Sequence, residues 1–322
     1  MQGCRGRPFP NQARRETWRL CELASALHRH PTGHQWLLGS DGRGIWRRRS
    51  PRPLGRGLPH PAAGRCCRDR RNIRNRKLRT VLAERFNLLA YHYAHRGLWS
   101  NETYPENSLE AILAAGGGGI GCEIDVRPAA CGTPVVFHDA ILDRMTDTTG
   151  FVSNHSAEEL TKLNLKGNGT FVTLDQVLEA WTSDTPLLIE LKIDGETDAE
   201  GFTNIVSERV AAYDGPAALM SFSRRAVSAV PAGIMKGALI LPSRMSQDIT
   251  LQALVSTSAA LMPDFIAAHW SDAAEATTTA TDYGLPLAVW TIDTADRAQE
   301  LKSLPIAQIF EGFDPAFVRP EA

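Results

Sequence analysis

No stretch of this sequence approaches the ~18–20 consecutive apolar residues that a membrane-spanning helix requires. Neither a glycine triplet period nor sustained heptads occur, which excludes collagen-like and coiled-coil chains. Cysteine is scarce where a stapled fold would need it. Four of the six (Cys4, Cys21, Cys66, Cys67) lie in the first eighty residues, leaving only Cys122 and Cys131 for the rest. That usage points to a reduced, cytoplasmic context. Acidic side chains are nearly missing from residues 1–80, which carry 20 basic and 4 acidic groups, against 15 and 32 in residues 81–322. The bland total of −1 therefore joins a segment of net +16 to one of net −17.

The basic segment has Gly and Pro interspersed and no apolar periodicity beyond one helical candidate, Glu16–Leu27. Runs such as WRRRS (46–50) and RDRRNIRNRK (68–77) repel themselves and stay solvated. Residues 1–80 are expected to be a disordered tail or a non-native extension, an upstream reading placed before the true start. Arg interleaved with Trp18, Trp36 and Trp46 also allows a nucleic-acid-binding arm, which ranks third. A transit peptide would be richer in Ser, and a secretory signal would need an apolar core near the start.

From about Val81 the texture changes to short apolar runs alternating with amphipathic stretches. Strands are expected at 91–97, 121–126, 133–139, 186–192, 217–222, 236–241, 264–269, 286–292 and 306–310. Helices are expected at 108–115, 174–181, 199–212, 224–230, 248–260, 272–283 and 294–303. Such alternation implies a parallel sheet wrapped by helices, and about 240 residues suit a (β/α)8 barrel. A doubly wound open sheet would display a glycine-rich phosphate loop between strand and helix. AGGGGIG (115–121) instead follows a helix and precedes a strand, so it reads as a helix cap and turn.

In such a barrel the chemistry sits at the C-terminal strand ends, and the ionisable residues collect there. His95 and Arg96 end the first strand, and His138 and Asp139 end VVFH. Glu123 and Asp125 are two apart and share a face, as are Glu190 and Lys192. Three acids in one mouth are economically held by a divalent cation, and an all-oxygen set favours Mg²⁺ or Ca²⁺. Salt-bridged acids at a barrel rim are the alternative. Two histidines beside Arg96, Lys192 and three acids suit an anionic substrate, with the cations neutralising phosphate oxygens and the histidines moving protons.

Taken in order, AHRG (94–97), YPENSLEAILAA (104–115), CEIDV (122–126), PVVFHDAILDRMTDTTG (134–150), VTLDQVLEAW (172–181), LLIELK (187–192) and LPLAVWTID (285–293) resemble the glycerophosphodiester phosphodiesterases. The resemblance covers about residues 91–315. It implies an α/β fold, a (β/α)8 TIM-type barrel with a small insertion after the second strand at about 140–172. It also implies hydrolysis of glycerophosphodiesters to glycerol 3-phosphate and an alcohol, with one divalent cation. By motif, Glu123, Asp125 and Glu190 are its metal ligands, and His95 and His138 the general acid/base pair. Arg96 and Lys192 bind phosphate. Glu106 and Asn107 of PEN support the first loop beside the substrate, which Trp290 also meets. FEGFDP (310–315) departs from the family's usual end to the last strand, placing Phe313 at the rim, and Asp293 stands where Asn is common. The same barrel acting on a lysophospholipid, a sphingomyelinase-D-like substrate or a sugar-phosphate opine-like diester is the enzymatic alternative. The implied partner is a small phosphodiester, with no membrane span.

Overall fold

A computed structural model describes residues 86–318, except Glu196, Gln247 and Asp248, together with the backbone of two N-terminal strands. Those strands, β1 (His34–Leu38) and β2 (Gly44–Arg48), pair antiparallel with Trp36 opposite Trp46. They fall outside the unit that holds the barrel. The helix expected at Glu16–Leu27 lies outside the described residues.

The second unit is the barrel. Its strands are β3 (Tyr93–His95), β4 (Gly121–Pro128), β8 (Leu187–Leu191), β9 (Ala217–Ser221), β10 (Met235–Leu239), β11 (Phe265–His269), β12 (Leu287–Ile292) and β13 (Ile306–Phe310). All eight run parallel, and the β13–β3 and β3–β4 pairings close the ring. Closure removes every sheet edge among them.

The ninth apolar run, at 133–139, is no barrel strand. Only Pro134–Val136 (β5) is extended, and it pairs antiparallel with the end of β4. It opens an excursion containing α2 (Ala157–Leu160) and a two-residue hairpin, β6 (Asn164–Leu165) with β7 (Gly169–Thr170). A small core of its own supports this excursion, with Phe137 stacked on Phe171 at 5.2 Å. A Pro-Gly turn between two apolar runs suits a hairpin as well as two barrel units, so sequence pattern alone left the choice open.

Outside the ring lie α1 (Leu109–Gly117), α3 (Leu174–Ala180), α4 (Ala199–Ala211), α5 (Arg224–Ala229), α6 (Leu251–Ala259), α7 (Ala273–Asp282) and α8 (Ala295–Glu300). Side-chain oxygens start most of them: Ser108, Ser156, Thr173, Ser223, Thr250 and Thr294 each accept an amide of the first turn. The glycine run ends α1 as expected, with Gly118 as its cap.

Period-two alternation divides each strand between two cores. Cys122, Ile124, Val126, Leu187, Ile189, Leu191, Ile266 and Ala268 face the helices. Tyr93, Leu188, Met220, Phe265, Ala267, Ala288, Trp290 and Ile309 fill the ring interior. Gly237 makes room for Phe265, whose ring would collide with a Cβ there. Carried to the C-terminal ends, the same alternation aims His95, Glu123, Asp125, Glu190, His269, Trp290 and Glu311 into one mouth.

Candidate active site

The strand ends bring the acids together. Glu123 lies opposite His95 in the β3–β4 register, and Asp125 lies opposite Glu190 in the β4–β8 register. One oxygen from each of Glu123, Asp125 and Glu190 falls within 4.8 Å of the others, and all three residues are buried. Two cations answer these three charges. Lys192 Nζ stands 3.0 Å from Asp125 Oδ1 and 2.7 Å from Glu190 Oε1. Arg96 Nε stands 3.2 Å from Asp125 Oδ2. Glu123 receives only the Arg96 amide at 3.2 Å and the distant His95 Nε2 at 3.9 Å, and its Oε1 has no partner.

This asymmetry shows in the proton affinities. Burial, with Asp125 and Glu190 as like-charged neighbours, pushes the Glu123 carboxyl well above the ordinary range. Burial works the same way on Asp125, but Lys192, His138 and Arg96 outweigh it and hold that carboxyl well below its usual value. Burial raises Glu190 despite the Lys192 ammonium.

The loop after β3 sets this geometry. Arg96 and Asn107 both adopt left-handed backbone, with φ of 59° and 57°. Gly97 between them and α1 has φ 89°, and a Cβ there would meet the Ala111 carbonyl carbon at 2.6 Å. Asn107 is spent on Asp125, donating from Nδ2 at 2.9 Å and accepting its amide at 3.2 Å. Glu106 accepts from Arg96 at 2.8 Å and from Arg144 Nη2 at 2.6 Å. Glu106 and Asn107 thus hold Arg96 and Asp125 in place.

Each histidine is anchored at Nδ1 by a carboxylate. For His95 it is Glu311 at 2.7 Å, and for His138 it is Asp139 at 2.7 Å. Arg144 in turn grips Asp139 through Nε at 2.6 Å. Burial together with Arg96 and Lys192 lowers His138 to about 3. Trp290 lies in the interior layer, edge-on to Phe222 at 5.4 Å and to His269 at 5.3 Å. Phe313 packs on Phe310 at 5.3 Å and on Phe317 at 6.4 Å, against the helix-facing core.

Glu311, Arg144 and His269 were not singled out from the sequence. Alternation through Ala307, Ile309 and Glu311 was the available signal for the first, and through Phe265, Ala267 and His269 for the last. Arg144 had none, since it comes from the irregular excursion.

The Glu106 network carries a pH signature. Burial opposes ionisation there, yet Arg96 and Arg144 hold the carboxyl at about 2, against 4.5 in an unfolded chain. A depressed carboxyl adds stability that is complete above the unfolded value and is lost as pH falls through the folded one, here on the order of 3 kcal/mol. Melting temperature should therefore drop steeply from pH 5 to pH 2, and Glu106→Gln should flatten that slope. Parallel slopes for the two proteins in thermal melts would refute the assignment.

Residues 95–311 match the family described as the Glycerophosphoryl diester phosphodiesterase family. Glycerophosphodiester phosphodiesterase 1 of Bos taurus is 39% identical over 97 residues, 30% of this chain and 28% of that protein. Its Homo sapiens counterpart is 42% identical over 76 residues, 23% and 22% of the two chains. The matched stretch thus spans about a quarter of these curated relatives. Among solved structures, an Oleispira antarctica phosphodiesterase in complex with the product sn-glycerol-3-phosphate superposes with a TM-score of 0.60 at 26% identity, over 69% of this chain and 92% of that one. A glycerophosphodiester phosphodiesterase from Thermotoga maritima gives a TM-score of 0.57 at 23% identity over 69% and 94%, a likeness of fold. No helix among the described residues is long and apolar enough to cross a membrane.

Proposed function

The chain belongs to the glycerophosphoryl diester phosphodiesterase family, and on that premise we propose that it hydrolyses glycerophosphodiesters to glycerol 3-phosphate and an alcohol. The observation that carries this reading is the buried triad of Glu123, Asp125 and Glu190, one positive charge short of neutrality. An orphaned, desolvated carboxylate oxygen beside two others is the donor set a hard divalent cation takes, so the residues fit Mg²⁺ or Ca²⁺. When bound, such an ion would polarise a phosphoryl oxygen and stabilise charge developing in the transition state.

The chain's own groups do the rest. Arg96 and Lys192 stand beside the triad, where they neutralise the remaining phosphate oxygens. Glu106 and Asn107 keep the guanidinium and the Asp125 carboxylate from rotating away. His95 and His138 each commit Nδ1 to a carboxylate, leaving Nε2 as the proton-handling atom. One takes the proton from the attacking hydroxyl, and the other returns a proton to the departing alkoxide. The attacking hydroxyl is that of water, or the neighbouring glycerol hydroxyl, in which case the alcohol leaves as a cyclic phosphate forms and the same groups then direct water to open it to glycerol 3-phosphate.

The test is release of glycerol 3-phosphate from a panel of glycerophosphodiesters, with lysophosphatidylcholine and a sugar-phosphate opine-like diester as further arms. Each is measured with Mg²⁺, with Ca²⁺ and with chelator. Release from the glycerophosphodiesters that chelator abolishes is the expected result. Release unaffected by chelator overturns the metal assignment, and turnover confined to the lysophospholipid or opine-like arm overturns the substrate class.

A further inference from the structure

The ring order runs β3, β13, β12, β11, β10, β9, β8, β4, so β11 faces β4 across the mouth. His269, the last residue of β11, points inward there and is buried. Its Nδ1 accepts the Ser271 backbone amide at 3.1 Å. A neutral imidazole has a single N–H, so this bond puts the proton on Nε2. Burial and the neighbouring Arg244 lower His269 to about 4, which keeps the ring neutral at physiological pH.

Nε2–H then lacks an acceptor. Its nearest polar neighbour among the described residues is Arg244 Nη2 at 3.4 Å, and a guanidinium only donates. Arg244 is exposed, and its Nη1 donates to Ser271 Oγ at 2.7 Å and lies 3.1 Å from His269 Nδ1, which leaves Nη2 as its uncommitted end. No carboxylate pairs with it among the described residues. Asp272, on the same loop, is taken up by the amide and hydroxyl of Ser243, both at 2.7 Å. That tie joins the β10 and β11 loops and fixes where Arg244 stands. Arg297, lying over the Trp270 ring at 3.7 Å, is paired with Asp293 and leaves Arg244 as the cation that faces His269. Arg244 Nη2 and the Nε2–H of His269 are thus two adjacent donors with no acceptor between them among the described residues.

We propose that Arg244 and His269 form an oxyanion site on the wall of the mouth opposite the acid triad, and that it receives a carboxylate or phosphate carried by the alcohol portion of the diester. The proposal rests on the phosphodiesterase reading above. With the scissile phosphate at Arg96 and Lys192 on the β4 side, a substituent crossing the mouth meets these two donors. A quaternary or primary ammonium there meets like charge. The site selects anionic alcohols over cationic ones.

The experiment uses matched diesters on the full chain. Glycerophosphoserine and glycerophosphoethanolamine differ by one carboxylate, and glycerophosphoinositol 4-phosphate and glycerophosphoinositol differ by one phosphate. Arg244→Gln should lower kcat/KM at least about tenfold for the anionic member of one or both pairs, as loss of a charge-assisted hydrogen bond does. Glycerophosphoinositol should be unchanged, and glycerophosphoethanolamine unchanged or faster. Arg244→Glu should reverse the preference, and Arg244→Lys should restore part of it. The pair that responds identifies the group bound. Equal loss on both members of each pair, or no loss on any, overturns the site while leaving the phosphodiesterase reading intact. Absence of turnover on every diester overturns both.

Discussion

Glu123→Gln should abolish phosphodiester hydrolysis, with a loss on the order of 10³-fold, while the protein melts at a higher temperature in chelator than the unaltered chain. Both effects come from one oxygen's circumstances. Glu123 is fully buried beside two other carboxylates, and its Oε1 has no hydrogen-bond partner. Removing its charge relieves repulsion that Lys192 and Arg96 spend on Asp125 and Glu190 instead. Each kcal/mol regained should raise the melting temperature by about 2–4 °C. Asp125→Asn should behave in the opposite way, because Asp125 is the carboxylate that two cations and Asn107 already hold. Near-normal turnover by Glu123→Gln would remove Glu123 from the ion site. An unchanged or lower melting temperature in chelator would show that its charge is compensated.

His95→Ala and His138→Ala should each lower kcat by about 10²–10⁴-fold, the usual range for a general acid or base. The limb of the pH–rate profile owed to the missing imidazole should vanish with it. Glu311→Gln and Asp139→Asn provide the finer comparison. Each leaves the imidazole in place but removes the carboxylate that orients it, so the loss should be smaller than for the histidine itself. A bell-shaped profile unchanged in both histidine variants would sink the assignment.

The barrel was legible in the sequence because eight of its strands are short apolar runs separated by amphipathic helices, and that alternation is a local signal. The apolar run at 133–139 stayed ambiguous because hairpin and barrel strands look alike over three residues, and only the partner across the sheet distinguishes them. Among site residues, the legible ones share a strand with a second polar residue two positions away, as Glu123 with Asp125 and Glu190 with Lys192. Glu311 and His269 each arrive alone at a strand end, and a lone polar residue there carries no local mark of purpose. Arg144 reaches the site from the excursion, where no periodicity predicts direction. What Glu106 and Asn107 do was blurred for a related reason: their partners, Arg144 and Asp125, are distant in sequence.

The β3–β13 seam is the narrowest in the ring, with only Tyr93 opposite Ile309 and Ala94 opposite Phe310. The His95–Glu311 bond spans that seam and joins residues 216 positions apart. That bond has to wait until β13 itself has been synthesised, because Glu311 follows its last residue. A growing polypeptide therefore holds the acid triad, Arg96, Lys192 and both imidazoles long before the dyad at His95 can form. Catalytic competence would then date from the emergence of the final strand from the ribosome, which makes hydrolysis itself a clock for the completion of folding.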